Sequence, residues 1–283
     1  MLSNMRDAVQ RAAESDYVIV GYNVFTFEDA VAVLHAAEKG KFPILLMLNR
    51  LAIQHMRPSH WASLLVPLAK ESSIPVGVHL DHCSNLDVVR EAIRSGFSSV
   101  MYDGSQLPLE ENIRNTRTIA DEARKYDVCV EGEIGSVPYS DINHEIRNEL
   151  TTPADAQRFS AESGADWMAV SVGNVHRLQQ KCANINFGLL EQLEACTRIP
   201  LVIHGATGIP QDQLKQLIRH RVGKINVGTT LRLAYVKTLR QELENNPDEY
   251  DILKLVEKPM KSVEQEVMNC SALVNLSPRK DVI

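Results

Sequence analysis

Eight short runs of apolar, largely β-branched residues recur along this chain, separated by longer stretches of helical period. That alternation decides most of what it can fold into. The runs are YVIVGYN (17–23), PILLML (43–48), PVGVHLD (75–81), SSVMYD (99–103 with its lead-in), VCVEGE (128–133), DWMAVSV (166–172), PLVIHG (200–205) and KINVG (224–228). Between them lie amphipathic stretches such as FEDAVAVLHAAEKG, LDVVREAIRSG and PQDQLKQLIRHRVG. Several of these close on Gly40, Gly96, Gly164 or Gly223, which read as helix C-caps. Apolar strands joined by helices imply a parallel sheet covered on both faces. Eight such units in 283 residues predict an α/β fold, a closed (β/α)8 (TIM) barrel with additional C-terminal helices. An open doubly wound sheet announces itself by a glycine-rich phosphate turn after its first strand, and YNVFTFED has none.

A barrel of this kind uses such a length as one domain, so 1–283 is expected to be a single unit with a helical extension over about 231–283. The extension breaks at Asn245-Asn246-Pro247 and is expected to pack beneath the barrel or against a second subunit. Segment 134–152 is too long and polar for an ordinary strand-to-helix loop and reads as functional or mobile. The net charge of −6, without a long Lys/Arg run, argues against nucleic acid or anionic membrane as a partner. Five cysteines without a CxxC pair read as reduced thiols, and no secretory leader or apolar run of roughly 18 to 20 residues is found, so a cytoplasmic protein is expected.

Polar residues interrupt the strands at one end only: Asn23, Asn49, Asp81-His82, Asp103, Glu133, Gly173 to His176, His204-Gly205 and Asn226 to Thr229. In this barrel the C-terminal rim gathers catalytic groups from separate strands. His35, His55, His60, His144 and His220 fall on helices or loops and read as ordinary surface histidines. His79 shares a strand face with Asp81 and is either a satisfied core residue or a support for the site. His82, His176 and His204 end three different strands, and three imidazoles converging on one rim favour Zn²⁺ with a fourth position open. Asp103 and Glu133 either hold a second metal position, orient the ligands, or are simply solvated strand ends. The turns HGATG (204–208) and NVGTT (226–230) read as a phosphate site built from backbone N–H groups, with Thr207, Thr229 and Thr230 adding hydroxyls.

At HLDH (79–82), GNVH (173–176), HGATG and NVGTT the sequence resembles the class II, metal-dependent fructose-bisphosphate and tagatose-bisphosphate aldolases. YNVFTFED, SVMYDGSQLPLEENI and VEGEIG extend the likeness almost end to end. The resemblance implies a (β/α)8 barrel in homodimers or homotetramers. It implies His82, His176 and His204 as zinc ligands and Asp81 as the acid/base on the substrate C4 hydroxyl. Asp103 and Glu133 match positions that hold a second or displaced divalent ion. Gly205, Ala206 and Thr207 with Asn226, Val227, Gly228 and Thr229 match the segments that grip dihydroxyacetone phosphate, where some members add a monovalent cation.

The chain also departs from the family pattern. Where members carry a glycine-rich loop ending in Glu-Asp, this one reads SVPYSDINHEI, and Asp141, or Glu145, is the nearest acid to move the donor-carbon proton. Arg177 follows GNVH in place of glycine, and Asn49 stands where a small hydroxyl residue often follows strand two. Arg177 either meets a phosphate or carboxylate or fills the space glycine leaves. The function expected is a metal-dependent aldolase acting on a small ketose phosphate or bisphosphate through a zinc-stabilised enediolate. The alternatives are a phosphosugar-binding or sensor paralogue and a zinc hydrolase on the same fold. A Schiff-base aldolase needs a buried lysine in the barrel, and Lys224 reads as the start of strand eight at the wrong rim.

Overall fold

In the computed structural model, which describes residues 1–138 and 149–275, each of the eight runs forms one strand. They are β1 (Ile19–Asn23), β2 (Ile44–Leu48), β3 (Val76–Cys83), β4 (Ser99–Tyr102), β5 (Cys129–Ile134), β6 (Trp167–Val170), β7 (Leu201–Ile203) and β8 (Val222–Val227). All pair in parallel and in chain order, and β8 closes on β1 through Val20↔Ile225 and Gly21↔Asn226. The closed (β/α)8 barrel expected from the pattern is the architecture found.

Alternate residues of each strand face opposite ways, which divides the core in two. Outward-facing Val20, Ile44, Leu46, Val78, Val100, Met168 and Ile225 pack against the helices. Inward-facing Ile19, Leu45, Met47, Met101, Cys129, Trp167 and Val202 fill the barrel, joined from below by Met5, Ala8, Val9 and Ala12. Helix Arg6–Ala13 and its lead-in thus close the N-terminal mouth, leaving the C-terminal rim open for a site.

Gly96 ends its helix in the left-handed region (φ +98), and Gly164 (φ +71) follows the cap residue Ser163, as the sequence suggests. Gly40 is instead the last helical residue, with Lys41 (φ +53) as the left-handed cap. Gly223 is no cap at all. It lies in β8 where helix Arg6–Ala13 crosses, and a Cβ there would sit 2.5 Å from the Val9 carbonyl oxygen. Gly223→Ala is therefore expected to lower the unfolding free energy by about 1–3 kcal/mol, read by urea denaturation.

The C-terminal chain forms helices Thr229–Asn245 and Ile252–Val274, parted where Asn-Asn-Pro predicts. The second packs on the barrel flank against helix Phe27–Gly40 and not beneath the barrel. The Tyr22 hydroxyl donates to the Val267 carbonyl (3.3 Å), and Val18 N–H donates to Val274 (3.2 Å), tying this helix to β1. With helix Arg6–Ala13 occupying the N-terminal mouth, the extension had no room there. Among the described residues no helix is long and apolar enough to cross a membrane.

Candidate active site

Asp81 and His82 are adjacent, so a regular strand would turn them to opposite faces. A register shift between Leu80 and Cys83 in the β3–β4 ladder, with His82 in the left-handed region (φ +50), brings both into the site. Ring centroids of His82 lie 4.6 Å from His176 and 4.5 Å from His204, with His176 and His204 5.7 Å apart. One ring nitrogen from each lies within 4.8 Å of the others. His82 also sits with Asp103 and Glu133 in a second group of the same compactness, its Nδ1 3.1 Å from Asp103 Oδ2 and 3.6 Å from Glu133 Oε2.

The Asp81 carboxylate is gripped from both sides. Asn23 Nδ2 donates to Oδ2 at 2.8 Å and Asn226 Nδ2 donates to Oδ1 at 3.0 Å. Burial pushes this acid up, but His82, then His204 and Lys224, outweigh it and hold the pKa below 3.8. Burial drives the His176 imidazole well below 6.5, and His204 below it, each reinforced by His82, so both rings are neutral at pH 7. Glu133 is pushed up to about 8 by burial and the neighbouring Asp103 carboxylate.

Above this cluster opens a cleft lined by Asn23, Asn49, Asp81, His82, His176 and Arg177, among others. Gly205, Thr207, Gly228 and Thr229 form its far wall. Gly205 is left-handed (φ +70), and a Cβ would fall 2.3 Å from the Val175 carbonyl oxygen, so only glycine fits there. The two turns are tied together, Thr230 Oγ1 donating to Thr207 Oγ1 at 3.0 Å. Ala206 and Val227 turn their side chains into the outer core and bring only backbone to these turns. Asn49 lines the cleft and also caps helix Arg50–His55, its Oδ1 accepting from Leu51 N–H at 3.0 Å. Asp141 and Glu145 lie outside the described residues.

The sequence reading missed Arg50, Arg232 and Phe25, which also line the cleft, with the Arg232 guanidinium 4.8 Å from the Phe25 ring centroid. It also misplaced Lys224. This lysine is the third residue of β8, points into the barrel, is fully buried and pairs with Glu131 (Nζ to Oε2, 2.7 Å). It is absent from the residues lining the cleft, so it is placed to hold Glu131 and not to meet a substrate carbonyl.

The sequence profile described as fructose-bisphosphate aldolase class-II matches residues 3–277. The chain belongs to this class II aldolase family. It is an aldolase, a carbon–carbon lyase. Among its relatives, the sulfofructosephosphate aldolase of Alkalicoccus urumqiensis is 33% identical over 247 residues, 86% of either chain. The 6-phospho-5-dehydro-2-deoxy-D-gluconate aldolase of Bacillus subtilis strain 168 is 32% identical over 267 residues, 93% of this chain and 92% of its own. The crystal structure of the YdjI aldolase from Escherichia coli K12 superposes with a TM-score of 0.83 at 27% identity, covering 97% of each chain.

Class II aldolases are generally metal-dependent, and the residues here fit a divalent cation. Among the described residues His204 Nδ1 and Glu133 Oε2 are buried atoms without a hydrogen-bond partner, 3.6 Å apart in the cluster. A buried polar atom left unpaired costs about 1–3 kcal/mol, which a bound cation would relieve.

Proposed function

We propose that the chain is a zinc-dependent aldolase cleaving or forming a ketose phosphate, with dihydroxyacetone phosphate as the three-carbon partner, in a single catalytic domain working in the cytoplasm as a homo-oligomer. One observation carries the reading: His82, His176 and His204 surround one point beside the ionised Asp81, next to two tied glycine turns. His82, His176 and His204 would hold the zinc, and Asp103 with Glu133 a second position. A divalent cation there supplies Lewis-acid stabilisation for the charge left as the carbon–carbon bond breaks.

In the cleavage direction Asp81 accepts the C4 hydroxyl proton, the C3–C4 electron pair passes to the three-carbon half, and an aldehyde is released. Asn23 and Asn226 aim the carboxylate by occupying one lone pair on each oxygen. The turns at Gly205–Thr207 and Asn226–Thr229 receive the phosphate on backbone N–H groups, fixing the reacting carbons by binding energy spent away from them. The three-carbon half then takes a proton, for which Asp141 is the nominated donor. The direct test is aldol cleavage and condensation assayed with zinc, after chelation, and after zinc is restored. Activity indifferent to chelation would sink the reading.

Relatives are named for different phosphorylated substrates, and cleft residues outside the histidine cluster are the place to look for the choice among them. Arg177 is the clearest candidate, a left-handed residue (φ +56) lining the cleft. Arg177→Gly is expected to raise KM for the phosphorylated ketose about tenfold or more, with a smaller effect on kcat, as for a lost charge-assisted hydrogen bond. Glycine suits that left-handed backbone, so the substitution adds no backbone strain. An unchanged KM removes Arg177 from substrate binding.

Glu133, protonated at neutral pH while metal-free, must release its proton to meet a cation. His176 and His204 are already neutral and add no such requirement, whereas His82, whose charge lowers both, must give up a proton of its own. Zinc affinity of the metal-free protein should therefore climb with pH up to about 8, by about tenfold per unit at most for each proton released. Glu133→Gln should flatten that slope in chelator-competition titrations; an equal slope takes Glu133 away from the metal.

A further inference from the structure

Beneath the rim the barrel interior holds a charged layer that neither the fold nor the proton transfers explain. Glu131, on β5 and two residues before Glu133, is fully buried, as are Lys224, His204, His79 and, nearly so, Trp167. Lys224 Nζ (2.7 Å) and Trp167 Nε1 (2.6 Å) both donate to Glu131 Oε2. The other oxygen, Oε1, lies 2.7 Å from His204 Nε2. The remaining nitrogen, Nδ1, is the one that faces Glu133 and the other histidines. His79 stands beside the pair, its Nε2 3.8 Å from Oε2 and its Nδ1 bonded to Ser99 Oγ at 2.9 Å.

With the Lys224 ammonium and the Trp167 N–H both on Oε2, the carboxylate is held ionised and carries no proton to offer the imidazole on Oε1. It is an acceptor only, and Nε2 must donate to it. A neutral ring with hydrogen on Nε2 has its lone pair on Nδ1. Stability does not account for the arrangement, since a buried ion pair is commonly replaced by apolar residues without loss. Met47, Met101, Ala169 and Val202 already fill the rest of this interior.

We propose that the buried Lys224–Glu131 pair is a positioning device for His204, fixing hydrogen on Nε2 and presenting Nδ1 to the cation as the more basic donor. The inference rests on the reading of His204 as a metal ligand. Lys224 and Glu131 touch neither substrate nor metal; they act through the ring.

The decisive experiment compares wild type with Lys224→Met, Glu131→Gln and the double variant, measuring unfolding midpoint and zinc affinity separately. Each single change strands one buried charge and should lower the midpoint. The double variant removes both charges and should regain stability. Zinc affinity should nevertheless stay about ten- to a hundredfold weaker than wild type, the usual effect of losing a group that orients a ligand. A double variant that binds zinc like wild type would overturn the inference while leaving the ligand reading intact. A wild-type chain that takes up no zinc would sink both. Should the double variant fail to fold, nitrogen-15 spectra of ring-labelled histidine in metal-free wild type decide: hydrogen on His204 Nε2 supports the proposal, and hydrogen on Nδ1 overturns it.

Discussion

Purified His204→Ala should carry essentially no zinc and should lose aldol cleavage by roughly 10³-fold or more. The size follows from the Lewis-acid contribution, several kcal/mol at a tenfold rate factor per 1.36 kcal/mol. As the proposed ligand His204 would contribute more than a third donor, because its ring lies between Glu131 on one side and Glu133 on the other. Removing it leaves Glu131 with an unfilled oxygen, so a modest loss of stability, about 1–3 kcal/mol, should accompany the loss of metal. His176→Ala should match it in zinc content and activity without leaving a Glu131 oxygen unfilled, since the bonds to Glu131 come from His204, Lys224 and Trp167. Metal content by emission spectroscopy reads the first effect and coupled assay the second. Zinc retained at one equivalent in either variant would dismantle the ligand set.

The strands were legible because burial on both faces leaves an unbroken apolar run, a signal that side-chain packing does not disturb. The rim was legible for the same reason, since Asn23, Asp103, Glu133 and Asn226 interrupt those runs at one end. Pairing Asp81 with His82 was harder, because alternation alone sends neighbours to opposite faces. Only the irregular β3–β4 register brings both inward, and nothing in HLDH announces a shifted ladder. The charged interior layer did have a signal. His79/Asp81, Glu131/Glu133 and Lys224/Asn226 are each spaced by two, so the deeper member of every pair faces the same way as the rim residue above it. Placing the start of β8 at Lys224 instead of Val222 hid this for the lysine.

Gly223 shows a different limit. A glycine after a helical pattern fits a cap, and only the crossing of Val9 over β8 reveals that close approach is the reason for it. The position of helix Ile252–Val274 was likewise settled by long-range geometry. Its buried residues Val263, Val267 and Val274 give one apolar stripe that suits the barrel floor or flank equally well. Helix Arg6–Ala13, with Val9 and Ala12 completely buried, takes the floor and leaves the flank.

Asp81→Ala should separate proton transfer from metal binding. The variant should keep its zinc, because the three imidazoles and their supports are unchanged, while turnover falls roughly 10²- to 10⁴-fold, the range for a lost general base. Asn23 and Asn226 would each lose an acceptor, and with it some stability, but neither bonds to a histidine. A half-reaction sharpens the test. Exchange of the donor-carbon hydrogen of dihydroxyacetone phosphate with solvent needs the metal site and the phosphate turns but no C4 hydroxyl. Asp81→Ala should therefore retain that exchange while losing cleavage, whereas His204→Ala should lose both. If exchange and cleavage fall together in Asp81→Ala with zinc still bound, the carboxylate serves the donor half and its assignment to the C4 hydroxyl is wrong. Near-full cleavage in the same variant would remove Asp81 from the chemistry altogether.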